Sequence, residues 1–160
     1  MLEFLTNLIR PRQKEPLPTR TDPFFGPMVY IPAARLWSGK TLFPSRPSHD
    51  GEIEIEILID TGETGPTESH RAFFETALAR WPGIEASIGE ILFPPIKKWA
   101  KRDYDENNPW AYFTLRGIRL PSLEVTPVEW AVSFWCPSVG HHFDVQMLDW
   151  KAEGLDISRK

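Results

Sequence analysis

A single cysteine, Cys136, stands in a chain of 160 residues, which excludes an internal disulfide and points to a reducing compartment. No stretch approaches the roughly 20 apolar residues that cross a bilayer as a helix. The N-terminus lacks the order of a secretory leader: Glu3 comes early, and Arg10, Arg12 and Lys14 follow the apolar part instead of preceding it. Positive charge is in deficit, with a net charge of −4, whereas affinity for nucleic-acid backbones rests on clustered Lys and Arg. Together these absences predict a cytoplasmic protein with no transmembrane segment and no nucleic-acid partner. Ser38-Gly39-Lys40-Thr41 ends like a phosphate-binding loop but lacks its first glycine. With no dinucleotide fingerprint, zinc-finger spacing or EF-hand loop either, no cofactor is expected.

Aromatic residues, by contrast, are plentiful. Hydrophobic residues make up 41% of the chain, with seven Trp and ten Phe, enough for a firm core. Sixteen Pro and ten Gly predict many loops and short elements.

Leu2, Leu5, Leu8 and Ile9 lie at helical spacing with Phe4 beside them, and the Pro-rich stretch 11–23 reads as an extended linker. The expected organisation is therefore a short helix and linker over residues 1–21 and one domain over 22–160. Within the domain, strands are expected at 25–32, 34–43 and 52–60. The last has Glu52, Glu54 and Glu56 alternating with Ile53, Ile55, Ile57 and Ile59, the period of a sheet with one wet face. Thr67 is a good N-cap for a helix over 68–80. Trp81-Pro82-Gly83 reads as a break, a second helix follows over 84–92, and Pro94-Pro95 ends or kinks it. Further strands are expected at 111–120, 129–136 and 141–149. The predicted fold is α+β, an antiparallel sheet with a helical pair on one face, in the order β-β-β-α-α-β-β-β.

The C-terminal hairpin can be registered from its sequence. A loop at 137–140 puts Cys136 opposite His141, and pairs Phe134 with Phe143, Val132 with Val145 and Trp130 with Met147 on an apolar face. The other face pairs Trp135 with His142, Ser133 with Asp144 and Ala131 with Gln146. His141 and His142 then point to opposite sides, so Cys136 with His141 is at most a two-ligand metal fragment. Ser133, His142 and Asp144 share a face, but Asp144 sits across from the serine, and no Gly-x-Ser-x-Gly elbow is present. Trp135 with His142 and Asp144 suits binding better, as a rigid aromatic among polar groups; cover by another element is the plainer reading. The second candidate surface is the row Glu52, Glu54 and Glu56. It belongs to a run with seven acidic residues and no Lys or Arg between positions 50 and 70. It reads either as a solvated face paired to Lys40 or Arg116, or as a patch that steers a basic partner.

Asp22-Pro23-Phe24-Phe25-Gly26, Leu36-Trp37-Ser38-Gly39-Lys40 leading to Phe43-Pro44, the Gly65-Pro66-Thr67-Glu68 helix start and the Trp130-to-Trp150 hairpin resemble a family of small bacterial domains of unknown function. Some such domains are similar to toxin-immunity proteins. The resemblance implies a compact fold and a protein partner, and brings no catalytic residue. The sequence thus leads to a non-enzymatic, immunity-like protein-binding module using Glu52, Glu54 and Glu56 or Trp135, His142 and Asp144. The alternative is a small metal-binding protein or enzyme centred on Cys136 and His141. A homodimer contact through surplus aromatics stays open.

Overall fold

The computed structural model describes residues 16–46, 49–100 and 104–159. The short helix expected over 2–9 lies outside them. Eight strands form one sheet in chain order: β1 (Thr19–Asp22), β2 (Gly26–Ile31), β3 (Leu36–Phe43), β4 (Ile53–Ile59), β5 (Thr114–Leu120), β6 (Glu129–Cys136), β7 (His141–Leu148) and β8 (Lys151–Arg159). Neighbours are antiparallel except β4 and β5, which are parallel. Between those two strands runs one helix, α1 (Glu68–Ala100), of 33 residues.

This corrects the expected fold. Among the described residues the helical pair is one helix, the sheet is mixed, and there are eight strands in place of six. The helix is continuous because its apolar stripe keeps phase across the prolines: His70, Phe74, Ala77, Trp81, Ile84, Ile88, Leu92 and Ile96 are all buried. Pro82 does remove a hydrogen bond, the one owed to the carbonyl four residues back. That carbonyl belongs to Leu78, and Arg46 Nη2 donates to it instead at 3.3 Å. Burial of an unbroken stripe then outweighs the helix-breaking cost of about 3 kcal/mol. Running back along the sheet, α1 returns the chain to the end where β4 began, so β5 enters parallel to β4.

The two strands not foreseen lie at the sheet edges. Residues 19–22, read from the sequence as the end of a linker, pair with β2. Asp22 makes this turn: its Oδ1 accepts from the amides of Phe24 at 2.8 Å and Phe25 at 2.9 Å, a short local turn that Gly26 completes at φ 74°. β8 carries a mixed polar sequence with no clean alternation, and a bulge opposite Gln146 and Met147 disrupts its period. The β6–β7 register, in contrast, matches the sequence reading at each pair from Cys136 with His141 to Trp130 with Met147.

Strand alternation divides the sheet into two faces. The covered face carries Phe43 from β3, Ile55, Ile57 and Ile59 from β4, Val132 and Phe134 from β6, and Phe143 and Val145 from β7, all buried. The helix lies here: Trp81 meets Phe43 edge-on at 4.7 Å, Phe73 meets Trp130 at 5.6 Å, and Trp99 reaches Phe143 at 5.9 Å. Such contacts bury large areas and favour offset or edge geometry.

Candidate functional site, an open sheet face

With the helix on one side, the alternate residues of every strand face the other. The registers align one row across the sheet: Lys40 beside Glu56, then Gly117, Ser133, Asp144 and Asp156. A neighbouring row holds Trp135, His142 and Ser158. A groove of about 1000 Å³ runs over these rows, from Val29 on β2 to Ser158 on β8. Two surfaces chosen separately from the sequence, Glu54 and Glu56 on β4 and Trp135, His142 and Asp144 on β6 and β7, therefore meet on one face. Of these, Glu54, Glu56, His142 and Asp144 line the groove itself. Glu52 precedes β4, is exposed and does not reach it.

Gly117 shapes the groove floor. A Cβ there would stand 2.9 Å from the backbone oxygen of Glu56, closer than real contacts allow, so the parallel β4–β5 pairing demands glycine. The bulge between Leu115 and Gly117 turns Arg116, an exposed residue, along the groove wall.

The carboxylates are not equivalent. Lys40 Nζ pairs with Glu54 Oε1 at 2.6 Å, and this hydrogen bond raises the Lys40 pKa. Ser38 Oγ donates to Glu56 Oε1 at 2.9 Å. Ser133 Oγ donates to Asp144 Oδ1, and Gln146 Nε2 to Asp156 Oδ2 at 3.2 Å. The rings of Trp135 and His142 pack with centroids 4.6 Å apart. Exposed pairs such as Lys40–Glu54 contribute little stability.

Other chemistries fit less well. The Ser133 hydroxyl is bound to Asp144 and the His142 ring packs on Trp135, an arrangement that does not join Ser133 to His142 as a nucleophile and its base. Cys136 and His141 lie on the covered side, as the register requires. Cys136 is buried with its Sγ 3.2 Å from Ser138 Oγ. His141 Nδ1 contacts the Val139 carbonyl oxygen at 2.5 Å, and its Nε2 accepts from Arg159 Nε at 3.2 Å. Both ring nitrogens are thus engaged. Among the described residues no group of three His, Cys, Asp or Glu is placed to hold a metal.

A second hollow, of about 650 Å³, opens at the C-terminal ends of β4 and β5 beside the start of α1. His70, read from the sequence only as a stripe residue, fastens this corner. Its Nδ1 accepts from the Thr67 amide at 3.2 Å and lies 2.7 Å from Thr67 Oγ1, while Nε2 donates to the Pro121 carbonyl at 3.0 Å. Burial pushes its pKa below the ordinary 6.5, and the Pro121 hydrogen bond opposes the shift in part. With both nitrogens occupied, it positions the helix start against β5. Across the same corner Arg119 Nη2 pairs with Asp60 Oδ2 at 2.9 Å.

Sequence reasoning named Lys40 and Arg116 as neighbours of the acidic row, and both line the groove, but it missed Gly117 and Asp156 as parts of the open face. Asp156 was missed because β8 was not foreseen; the chain turns into β8 at Asp149, which takes φ 49°. Among the described residues the fold is an eight-stranded mixed sheet covered on one side by a single long helix and open on the other. Comparison with protein-family models, curated proteins and solved structures found no match to this chain. Among the described residues no helix is long and apolar enough to cross a membrane.

Proposed function

We propose that this chain is a non-enzymatic, protein-binding module, immunity-like in role, that receives its partner on the open sheet face. One observation carries the reading: the acidic residues of β4 and the Trp135, His142 and Asp144 group share a single face that α1 leaves uncovered, around one groove. Strands give such a surface rigidity, so little ordering entropy opposes binding. Val29 and Leu42, exposed on the same face, add apolar area beside the polar centre. Glu54, Glu56 and Asp144 share the groove with Lys40, Arg116 and Arg119, so the face offers both signs of charge to orient a partner.

The test is affinity capture on the full chain from lysate of its source, run beside Glu54→Lys/Glu56→Lys and Trp135→Ala. A stoichiometric protein retained by the wild type and lost from both variants, with melting temperatures within a few degrees, is the expected result. Retention unchanged in both variants would place the partner elsewhere and overturn the reading.

A further inference from the structure

Among the described residues β8 is the longest strand of the sheet, at nine residues, and it stands at an edge. An edge offers a row of unpaired N–H and C=O groups to any other chain, so proteins blunt edges with short strands or proline. The opposite edge follows that rule: β1 has four residues and comes directly after Pro18. β8 has neither device. Its charges are engaged within the chain: Gln146 donates to Asp156 at 3.2 Å, Arg159 donates to His141 at 3.2 Å, and Lys151 pairs with Glu153 at 3.3 Å. A second observation lies beside this edge, on the helix side of the sheet. Ile157 is 39% exposed, and Trp99, near the end of α1, is 42% exposed. Both stand against Phe143: Ile157 faces it across the β7–β8 ladder, and Trp99 reaches its ring at 5.9 Å. Half-buried Leu155 follows two residues along on the same side. An apolar patch therefore borders the free backbone groups.

We propose that β8 pairs antiparallel with β8 of a second copy of this chain, with Ile157 on the two-fold axis, so that the two sheets become one. A two-fold that continues an antiparallel sheet sets one residue against its own copy. Centred on Ile157, the pairing places Ile157 against Ile157, Asp156 against Ser158 and Leu155 against Arg159. No like charges oppose each other, and the exposed apolar side chains are brought together. The neighbouring registers fail. Centred on Asp156, the pairing would set that carboxylate against its copy; centred on Leu155, it would set Lys151 against Arg159. Charge and apolar area thus agree on one register. The axis stands perpendicular to the sheet, so both helices lie on one side and both open faces on the other. The dimer leaves the grooves uncovered, and the inference goes beyond the binding role proposed above without depending on it.

The experiment is sedimentation equilibrium of the full chain over a concentration series. Strand pairing makes a small interface, so the mass should rise with concentration from 18.4 kDa towards twice that value. Ile157→Lys, which opposes two like charges on the axis, should weaken association roughly tenfold or more, while the melting temperature stays within a few degrees. A second pair of variants reads the register. Ile157→Cys should cross-link to its own copy on mild air oxidation, because directly opposed residues lie within disulfide reach; the native Cys136 is buried. Glu153→Cys should not, since in this register its two copies stand about 26 Å apart, at about 3.3 Å per residue. A mass that stays at 18.4 kDa at every concentration overturns the inference. So does an association untouched by Ile157→Lys, or equal cross-linking in the Glu153→Cys and Ile157→Cys variants. A dimer abolished by Trp135→Ala but not by Ile157→Lys would overturn it too, by moving the contact to the open face.

Discussion

Arg46 donates from its Nη2 to the carbonyl of Leu78 at 3.3 Å, and that carbonyl is free because the residue four positions on is Pro82. The loop after β3 thereby completes a hydrogen bond that the helix cannot make for itself. The guanidinium also lies 5.9 Å from the centre of the Phe43 ring, whose edge partner is Trp81.

The two residues should be coupled in stability. Arg46→Ala is expected to cost about 1 kcal/mol, the usual net value of such a hydrogen bond. In a Pro82→Ala background the Leu78 carbonyl regains a helical donor, and the same substitution should then cost less. Urea unfolding of the four proteins in this double-mutant cycle measures the difference; equal costs in both backgrounds would disprove the coupling.

Asp22 should be among the most costly polar positions to truncate. Its carboxylate is buried, with Arg71 Nη2 at 2.9 Å from Oδ2 and two turn amides on Oδ1. Burial alone pushes its pKa up, but the Phe25 amide, Arg71 and the Phe24 amide together hold it below the ordinary 3.8. A depressed carboxylate pKa stabilises the fold above the unfolded value, and that contribution disappears as the pH falls through the folded one. Asp22→Ala should cost on the order of 3 kcal/mol by denaturant unfolding, since it leaves two turn amides without their acceptor and removes one of the two carboxylates that hold Arg71. The variant should also lose stability less steeply than the wild type below about pH 4.

His70 makes the pH dependence run the same way in a higher window. Its folded pKa lies below 6.5, so the unfolded chain binds the proton more tightly. Stability from the neutral ring is fully present above 6.5 and declines as the pH falls from there through the folded value. Melting curves at about pH 7 and pH 5 should therefore differ more for the wild type than for His70→Gln. Identical pH slopes in the two proteins would show that His70 carries no linkage.

Cys136 should be inert in the native state. Its thiol is wholly buried behind the β6–β7 turn. A thiol reagent is expected to label it at least about 100-fold more slowly in buffer than in denaturant, because reaction requires opening of the hairpin. Fast native labelling would mean that the end of the hairpin is open.

The sequence by itself determined the β6–β7 hairpin to the residue. A one-position slip there would drive Trp135, Ser133 and Asp144 into the core and expose Phe134 and Phe143, so burial admits one register. It likewise determined the wet and dry sides of β4 and the start of α1 at Glu68, directly after Thr67, because both depend on neighbours in the chain. The single helix was also written there, in a stripe that keeps phase from His70 to Ile96, but Pro82 masked it. The side chain that offsets this proline is Arg46, 32 positions from the carbonyl it serves, and local reasoning has no access to such a partner. Tertiary structure alone decided that β4 and β5 run parallel, that the segments 19–22 and 151–159 become edge strands, and that the acidic row meets Trp135, His142 and Asp144. Period-two alternation tells which residues of one strand share a side; only strand order and register tell which strands bring those sides together.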